Sequence, residues 1–264
     1  DLSRLARKGA LALFGPGTAG AARMMMDGRR VSPAGAAMAG AFTVDSIDAH
    51  DGTTPNKGHA GSAVFPAMLA VADALRAGGQ AVTGADLLVW LSLAYETSYR
   101  AGQVQHATCA DYHTSGAWTA VGVAIAVARA LRCDAEQIRH AAGIGEYHGP
   151  RSPMMRCIDH PTMLRDGVGH FKAYPCCRWA HPAIDGAAHL MQAHGVTPER
   201  VAGAEIRTFH YATRLAGHAP RTLDEFAYSI AFPVALMIQR GRIGPDELND
   251  ATLQDHDILR LPRA

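Results

Sequence analysis

From residue 63 onward, apolar side chains recur at helical spacing. Between Ala63 and Ala77, Val64, Met68, Val71 and Leu75 fall three or four positions apart, and Gly78 and Gly79 end the run. Gly84 to Arg100 is apolar almost all round over its first half, the pattern of a central, buried helix, and Thr83 stands where its N-cap belongs. Ala117 to Leu131 is rich in Ala and Gly, whose small side chains let neighbouring helices approach closely. Ala135 to Gly143 reads as a short amphipathic helix. Nearer the N-terminus the pattern weakens to Ala/Gly-rich pieces such as Pro33 to Ala41.

The texture changes after Gly169. His181 to His194 reads as a helix ended by Gly195, and Val201 to Tyr211, carrying Ile206, Thr208 and Phe209, suits a strand. A last helix is expected from about Thr222 to Gly241, kinked at Pro233. The pattern predicts a mainly α chain, with a large all-helical domain over residues 1–169 and a smaller α+β domain over residues 170–264.

Composition narrows the function classes. The 264 residues are 48% hydrophobic and 19% charged, a globular balance. A formal net charge of +1 with no basic block predicts neither nucleic acid nor a membrane as partner. No apolar run is long enough to span a bilayer and no signal peptide is visible. The five cysteines (Cys109, Cys133, Cys157, Cys176, Cys177) are odd in number and form no CxxC pair, which predicts free thiols in a reducing compartment. A soluble cytoplasmic protein is expected. Arginine supplies almost all the positive charge, the lysines being Lys8, Lys57 and Lys172 alone.

Four segments carry candidate chemistry. The densest is the Gly-, Pro- and Asn-bearing loop from Asp45 to Gly61, with Asp45, Asp48, His50, Asp51, Lys57 and His59 between two apolar stretches. It reads as a solvated loop with helix caps, as a metal site built on Asp45, Asp48, His50 and His59, or as a metal-free acid/base site. The spacing fits no established metal motif. Asp111 to Gly116 would present His113 near a helix N-terminus, or simply cap that helix. Glu146 to Arg156 holds His148, Arg151 and Arg156 in a Gly/Pro loop, where arginines can clamp a carboxylate bidentately or merely be solvated. Phe171 to Asp185 gathers Lys172, Cys177, Arg178 and His181 at the change of texture.

Taken in order, these segments resemble the MmgE/PrpD family. Asp48 to Gly61 with the following GHAGSAVFPA is similar to its first Asp/His motif, YHTSG before the Ala-rich helix to its second His motif, and FKAYPCCRWAHPAID to its F-K-x-Y-P-x-C segment; EIRTFHY also fits. The likeness runs over roughly residues 14–241. It implies a large all-helical domain with an α+β lid, a homodimer, and no metal or organic cofactor. Known activities of the family are 2-methylcitrate dehydratase, cis-aconitate decarboxylase and iminodisuccinate epimerase, all on small di- or tricarboxylates. By motif, the family's active-site positions fall on Asp48, His59, His113, Lys172 and Tyr211. Lys57, Arg151, Arg156 and Cys177 join them as candidate substrate-binding residues.

The expected reaction is that of a lyase or isomerase. His59 or His113 removes a proton alpha to a carboxylate, Lys172 with Arg151 or Arg156 holds carboxylates, and Tyr211 or the other histidine delivers a proton. Where the decarboxylases carry a Thr after the first Asp this chain has Gly52 or Thr53, and where they carry a His after the Lys it has Cys177, which points away from decarboxylation. Against the family pattern Gly169 leads almost directly into Lys172 where a long helical stretch normally lies, so the expectation is either a shortened member with an incomplete lid or a sequence from which segments are omitted. The rival readings are a metal-dependent hydrolase using the Asp45–His59 loop and a truncated, non-catalytic family member.

Overall fold

Thr83 does start a long helix. Its hydroxyl accepts from the Asp86 N–H at 3.1 Å while the Asp86 carboxylate accepts from the Thr83 N–H at 2.9 Å, which satisfies two otherwise open amides reciprocally. The computed structural model describes residues 2–15, 21–109, 115–147, 169–215 and 217–261, the side chains of 169–171 excepted. Its elements are α1 (Leu2–Leu13), β1 (Ala22–Arg23), β2 (Arg30–Val31), α2 (Pro33–Asp45), β3 (Asp51–Thr53), α3 (Gly61–Ala77), α4 (Gly84–Thr108), α5 (Ser115–Ala130), α6 (Ala135–Tyr147), β4 (Gly169–Phe171), α7 (His181–His194), α8 (Leu223–Ala227), α9 (Ala231–Arg240), α10 (Asp250–Leu253) and α11 (His256–Leu259). The strands form two antiparallel two-stranded ribbons, β1–β2 and β3–β4. The fold is mainly α.

The chain divides into two compact units, one of residues Asp1–Asp45 and His50–Phe171, the other of Ser46–Ala49 and Lys172–Ala264. In the first, α3, α4 and α5 enclose Val64, Met68, Ala94, Tyr99, Trp118 and Ala126. Gly122 on α5 sets how closely α4 can lie: a Cβ there would run into the Ser98 hydroxyl and stand 2.5 Å from the Ala94 carbonyl. The small-residue pattern of α5 is therefore a packing requirement. The first turns of α4 are not buried all round as its sequence implies. Leu88 and Val89 are exposed, because the neighbouring core touches only the side bearing Trp90, Ala94 and Ser98. The weakly patterned N-terminal pieces form α1 and α2, packed through Ala10, Met24, Val31, Ala36 and Ala39.

The second unit is built on α9, where every residue from Phe232 to Ile238 is buried, with Ile184, Phe226 and Ile258 against it. The single kinked helix expected over residues 222–241 is two helices. The break falls at Tyr228–Ile230, and the Ser229 hydroxyl accepts from the Phe232 N–H at 3.1 Å. Pro233 thus sits in the first turn of α9, where its missing N–H costs nothing. The strand expected over Val201–Tyr211 is not formed. Among the described residues they have no ladder partner; they lie mostly exposed and end in a 3-10 turn, His210–Arg214. A lone extended segment has nothing to satisfy its amides except solvent.

Candidate active site

The candidate residues collect in two clusters, one within each unit. In the first unit, β3 pairs with β4 in the register Asp51↔Phe171 and Thr53↔Gly169, and a bridge from Thr53 to Gly58 turns the chain back toward His59. The turn is pinned from inside by Asn56, fully buried, whose Nδ2 donates to the Tyr99 carbonyl at 2.8 Å. It leaves Lys57 exposed in a left-handed conformation at φ 50°, a solvated turn residue.

His59 follows, half-buried. Its N–H donates to the Ser115 hydroxyl at 2.9 Å, and its ring Nδ1 lies 2.6 Å from the Asp51 carbonyl. A carbonyl can only accept, so Nδ1 carries the proton and Nε2 is the basic nitrogen of the neutral ring. The His50 imidazole stacks on it at 4.6 Å, and His50 Nε2 lies 3.1 Å from an Asp45 carboxylate oxygen.

Asp51, buried, ties this cluster to the helices. Its Oδ1 accepts from the Gly61 N–H at 3.0 Å and its Oδ2 from the Tyr99 hydroxyl at 3.4 Å, and the Tyr95 hydroxyl lies on the same side, against Gly61. Ala60, the N-cap of α3, has no capping side chain, so Asp51 supplies the anion at that helix start from outside the helix. Gly61 is needed there: a Cβ would strike the Tyr95 hydroxyl and stand 3.1 Å from Asp51 Cγ. Burial, and then the Asp51 charge, push both the Tyr95 and Tyr99 phenols well above their ordinary value, so both remain donors.

In the second unit Lys172 Nζ is ion-paired with the Asp48 carboxylate, their side chains only 2% and 6% exposed. Asp48 holds a left-handed conformation at φ 50°. The sequence gives these two residues separate roles; the fold makes them partners. Five residues beyond Lys172, the Cys177 N–H donates to the Ala227 carbonyl at 2.7 Å and leads into a 3-10 turn and α7. His181, buried at the start of α7, faces the Cys176 carbonyl with Nε2 at 3.2 Å; the Tyr174 ring meets it edge-on, and the Tyr174 hydroxyl donates to Asp185 at 2.6 Å. Burial pushes the Cys176 thiol up to about 12, with Asp48 adding to the rise, and raises Cys177 as well. Cys177 is therefore a thiol at neutral pH, able to give a proton rather than take one. Burial, more than the neighbouring charges, lowers His181, which keeps the ring neutral.

Tyr211 does not join this cluster. It lies exposed on the His210–Arg214 turn with its ring against His210, since the strand that would have carried it inward is not formed. His113, Arg151 and Arg156 lie outside the described residues. Of the four side chains weighed as metal ligands, Asp48 is ion-paired with Lys172, His50 Nε2 lies beside Asp45, and His59 Nδ1 faces a carbonyl. Among the described residues no group of three or more His, Cys, Asp or Glu is placed to hold a metal ion, and no helix is long and apolar enough to cross a membrane. Sequence reasoning listed Asp51 only as part of the loop and passed over Tyr95 and Tyr99. Their spacing of four on α4, which puts two phenols on one helix face, was the available signal.

Family models match two stretches of the chain, the MmgE/PrpD N-terminal domain over residues 4–157 and the MmgE/PrpD C-terminal domain over residues 174–263. A comparison with curated proteins returned no match.

Proposed function

Since the chain belongs to the MmgE/PrpD family, we propose that it is a lyase or isomerase that removes a proton alpha to a carboxylate in a small di- or tricarboxylate. The observation that carries this reading is the His59 ring, half-buried, with Nδ1–H committed to a carbonyl so that Nε2 is the proton acceptor. A neutral imidazole of fixed tautomer is a competent general base near pH 7. Proton removal gives an enolate-like carbanion. Expulsion of a beta hydroxide, which leaves as water with a delivered proton, completes a dehydration; reprotonation on the opposite face completes an epimerisation.

In this proposal Cys177, a neutral thiol, is a proton donor. Lys172 contributes its charge held by Asp48, His113 and Tyr211 keep the roles the family motifs imply, and Arg151 or Arg156 holds a carboxylate. Cys177, standing where the decarboxylases have His, and the decarboxylase Thr position, which falls on Gly52 or Thr53, favour dehydration or epimerisation over decarboxylation. The partner we propose is a second copy of the chain, which would cover apolar side chains such as Leu88 and Val89 on α4.

Purified protein assayed on citrate, methylcitrate, aconitate and iminodisuccinate tests the reading. A conjugated double bond, read by ultraviolet absorbance, marks a dehydratase, and loss of optical rotation marks an epimerase. Activity that survives a chelator counts against the metal-hydrolase reading. A folded protein inactive on every member would return the case to a non-catalytic family member.

A further inference from the structure

Asp51 meets the His59 base through its backbone and the helices through its side chain. Its main-chain carbonyl receives His59 Nδ1–H at 2.6 Å, and its carboxylate accepts from the Gly61 N–H and the Tyr99 hydroxyl, with the Tyr95 hydroxyl packed close by against Gly61. The carbonyl belongs to β3, a strand of three residues, Asp51–Thr53, and so short a strand does not by itself hold a carbonyl to a fraction of an ångström. The side chain does: its donors come from the first residue of α3 and from α4, helices packed into one core. Two donors, with the Tyr95 hydroxyl beside them, converge on one buried carboxylate, while two hydroxyls in the same place without it would be left facing each other.

We propose that Asp51 is the positioning residue for His59: the carbonyl fixes the ring as the Nδ1–H tautomer, and the carboxylate, fastened to α3 and α4, fixes the carbonyl. The inference rests on the reading of His59 as the base, and it extends that reading to Tyr95 and Tyr99, which act through Asp51. Neither phenol needs to touch substrate. Their raised pKa values keep both phenols protonated.

The test uses the full chain labelled with 15N-histidine, and Asp51→Asn. Asparagine keeps the shape but presents one acceptor oxygen and an NH2 group to the same donors. The His59 signals are identified by their loss in His59→Gln. The wild type is expected to show the Nδ1–H tautomer. Asp51→Asn is expected to show a mixture of tautomers, with kcat lowered roughly 10- to 100-fold, the scale of a misplaced catalytic group, and KM within about twofold, because ground-state binding is untouched. An Nε2–H tautomer in the wild type, or unchanged tautomer and kcat in folded Asp51→Asn, overturns the proposal. Should Asp51→Asn not fold, Tyr99→Phe removes one donor and keeps the ring against Trp118, and the same shifts, smaller, are expected of it. If the wild type turns over no polycarboxylate, the functional reading falls, while the tautomer comparison still decides whether Asp51 positions His59.

Discussion

His59 and Lys172 are both candidate catalytic groups, yet their surroundings hold them by opposite means. His59 is set by hydrogen bonds to a carbonyl and a hydroxyl, close to it in sequence apart from Ser115. Lys172 is set by a countercharge 124 positions away, in a pair almost closed to solvent. A hydrogen-bonded imidazole has its proton located in advance and carries no charge. A buried ion pair has its charge located in advance, and neither partner tolerates being left alone. The first arrangement suits a base and the second a fixed electrostatic feature. The difference shows that the same kind of side chain list, read from sequence as one acid/base set, conceals two distinct physical devices.

The sharpest way to break this contrast is to remove one partner of the pair. Lys172→Ala leaves the Asp48 carboxylate buried without its countercharge, so unfolding free energy should fall by about 3–5 kcal/mol, measured by urea titration. Asp48→Asn with Lys172→Met should recover most of that loss and none of the activity. Equal stability in Lys172→Ala and the wild type would mean that the pair is not closed to solvent. Replacing the hydrogen-bonded group should behave otherwise: His59→Gln is expected to lose roughly 10²–10⁴-fold in kcat, the usual span for a general base, with an unchanged melting temperature and helix content.

A smaller effect tests the scaffold beneath His59. Gly122→Ala forces a methyl group into Ser98 and the Ala94 carbonyl, which should cost about 1–3 kcal/mol by overpacking. A neutral result would show that α4 and α5 are not held together as tightly as their contact implies. The smallest effect sharpens the comparison through pH. His181, near Tyr174, Cys176, Arg178, Lys172 and Asp185, has its pKa lowered from 6.5, chiefly by burial. The folded form therefore binds fewer protons than the unfolded one. The stability this provides is fully present above the ordinary histidine value and is lost as pH falls from there through the folded value. The drop in melting temperature between about pH 7.5 and about pH 5.5 should be smaller in His181→Gln than in the wild type. An identical drop in the two proteins would place the acid sensitivity elsewhere.

Much of the helical framework was legible because it obeys local rules. Thr83 with Asp86 signals a capping box, and Gly195 ends α7 where the apolar spacing stops. The strand over residues 201–211 was misread because β-type composition says nothing about whether a pairing edge exists nearby. The Thr222–Gly241 helix was misread because Ser229 competes for the backbone ahead of Pro233, a local hydrogen bond that outweighs the run of apolar residues. At the candidate site, Asp48, His59 and Lys172 stood out by residue type. The Asp48–Lys172 pair did not, since nothing in the chain announces a contact across 124 positions. Asp51, Tyr95 and Tyr99 were hidden for the same reason: their meeting depends on the packing of α4 against the β3 loop.

The most direct test of the central claim is solvent exchange followed by proton NMR in D2O, with wild type and His59→Gln each incubated with citrate, methylcitrate, aconitate and iminodisuccinate. The account predicts that the wild type exchanges the alpha proton of at least one of these, with or without new vinyl signals, and that folded His59→Gln does not. Exchange at the same rate in both proteins would contradict it, because His59 would then not be the group that takes the proton.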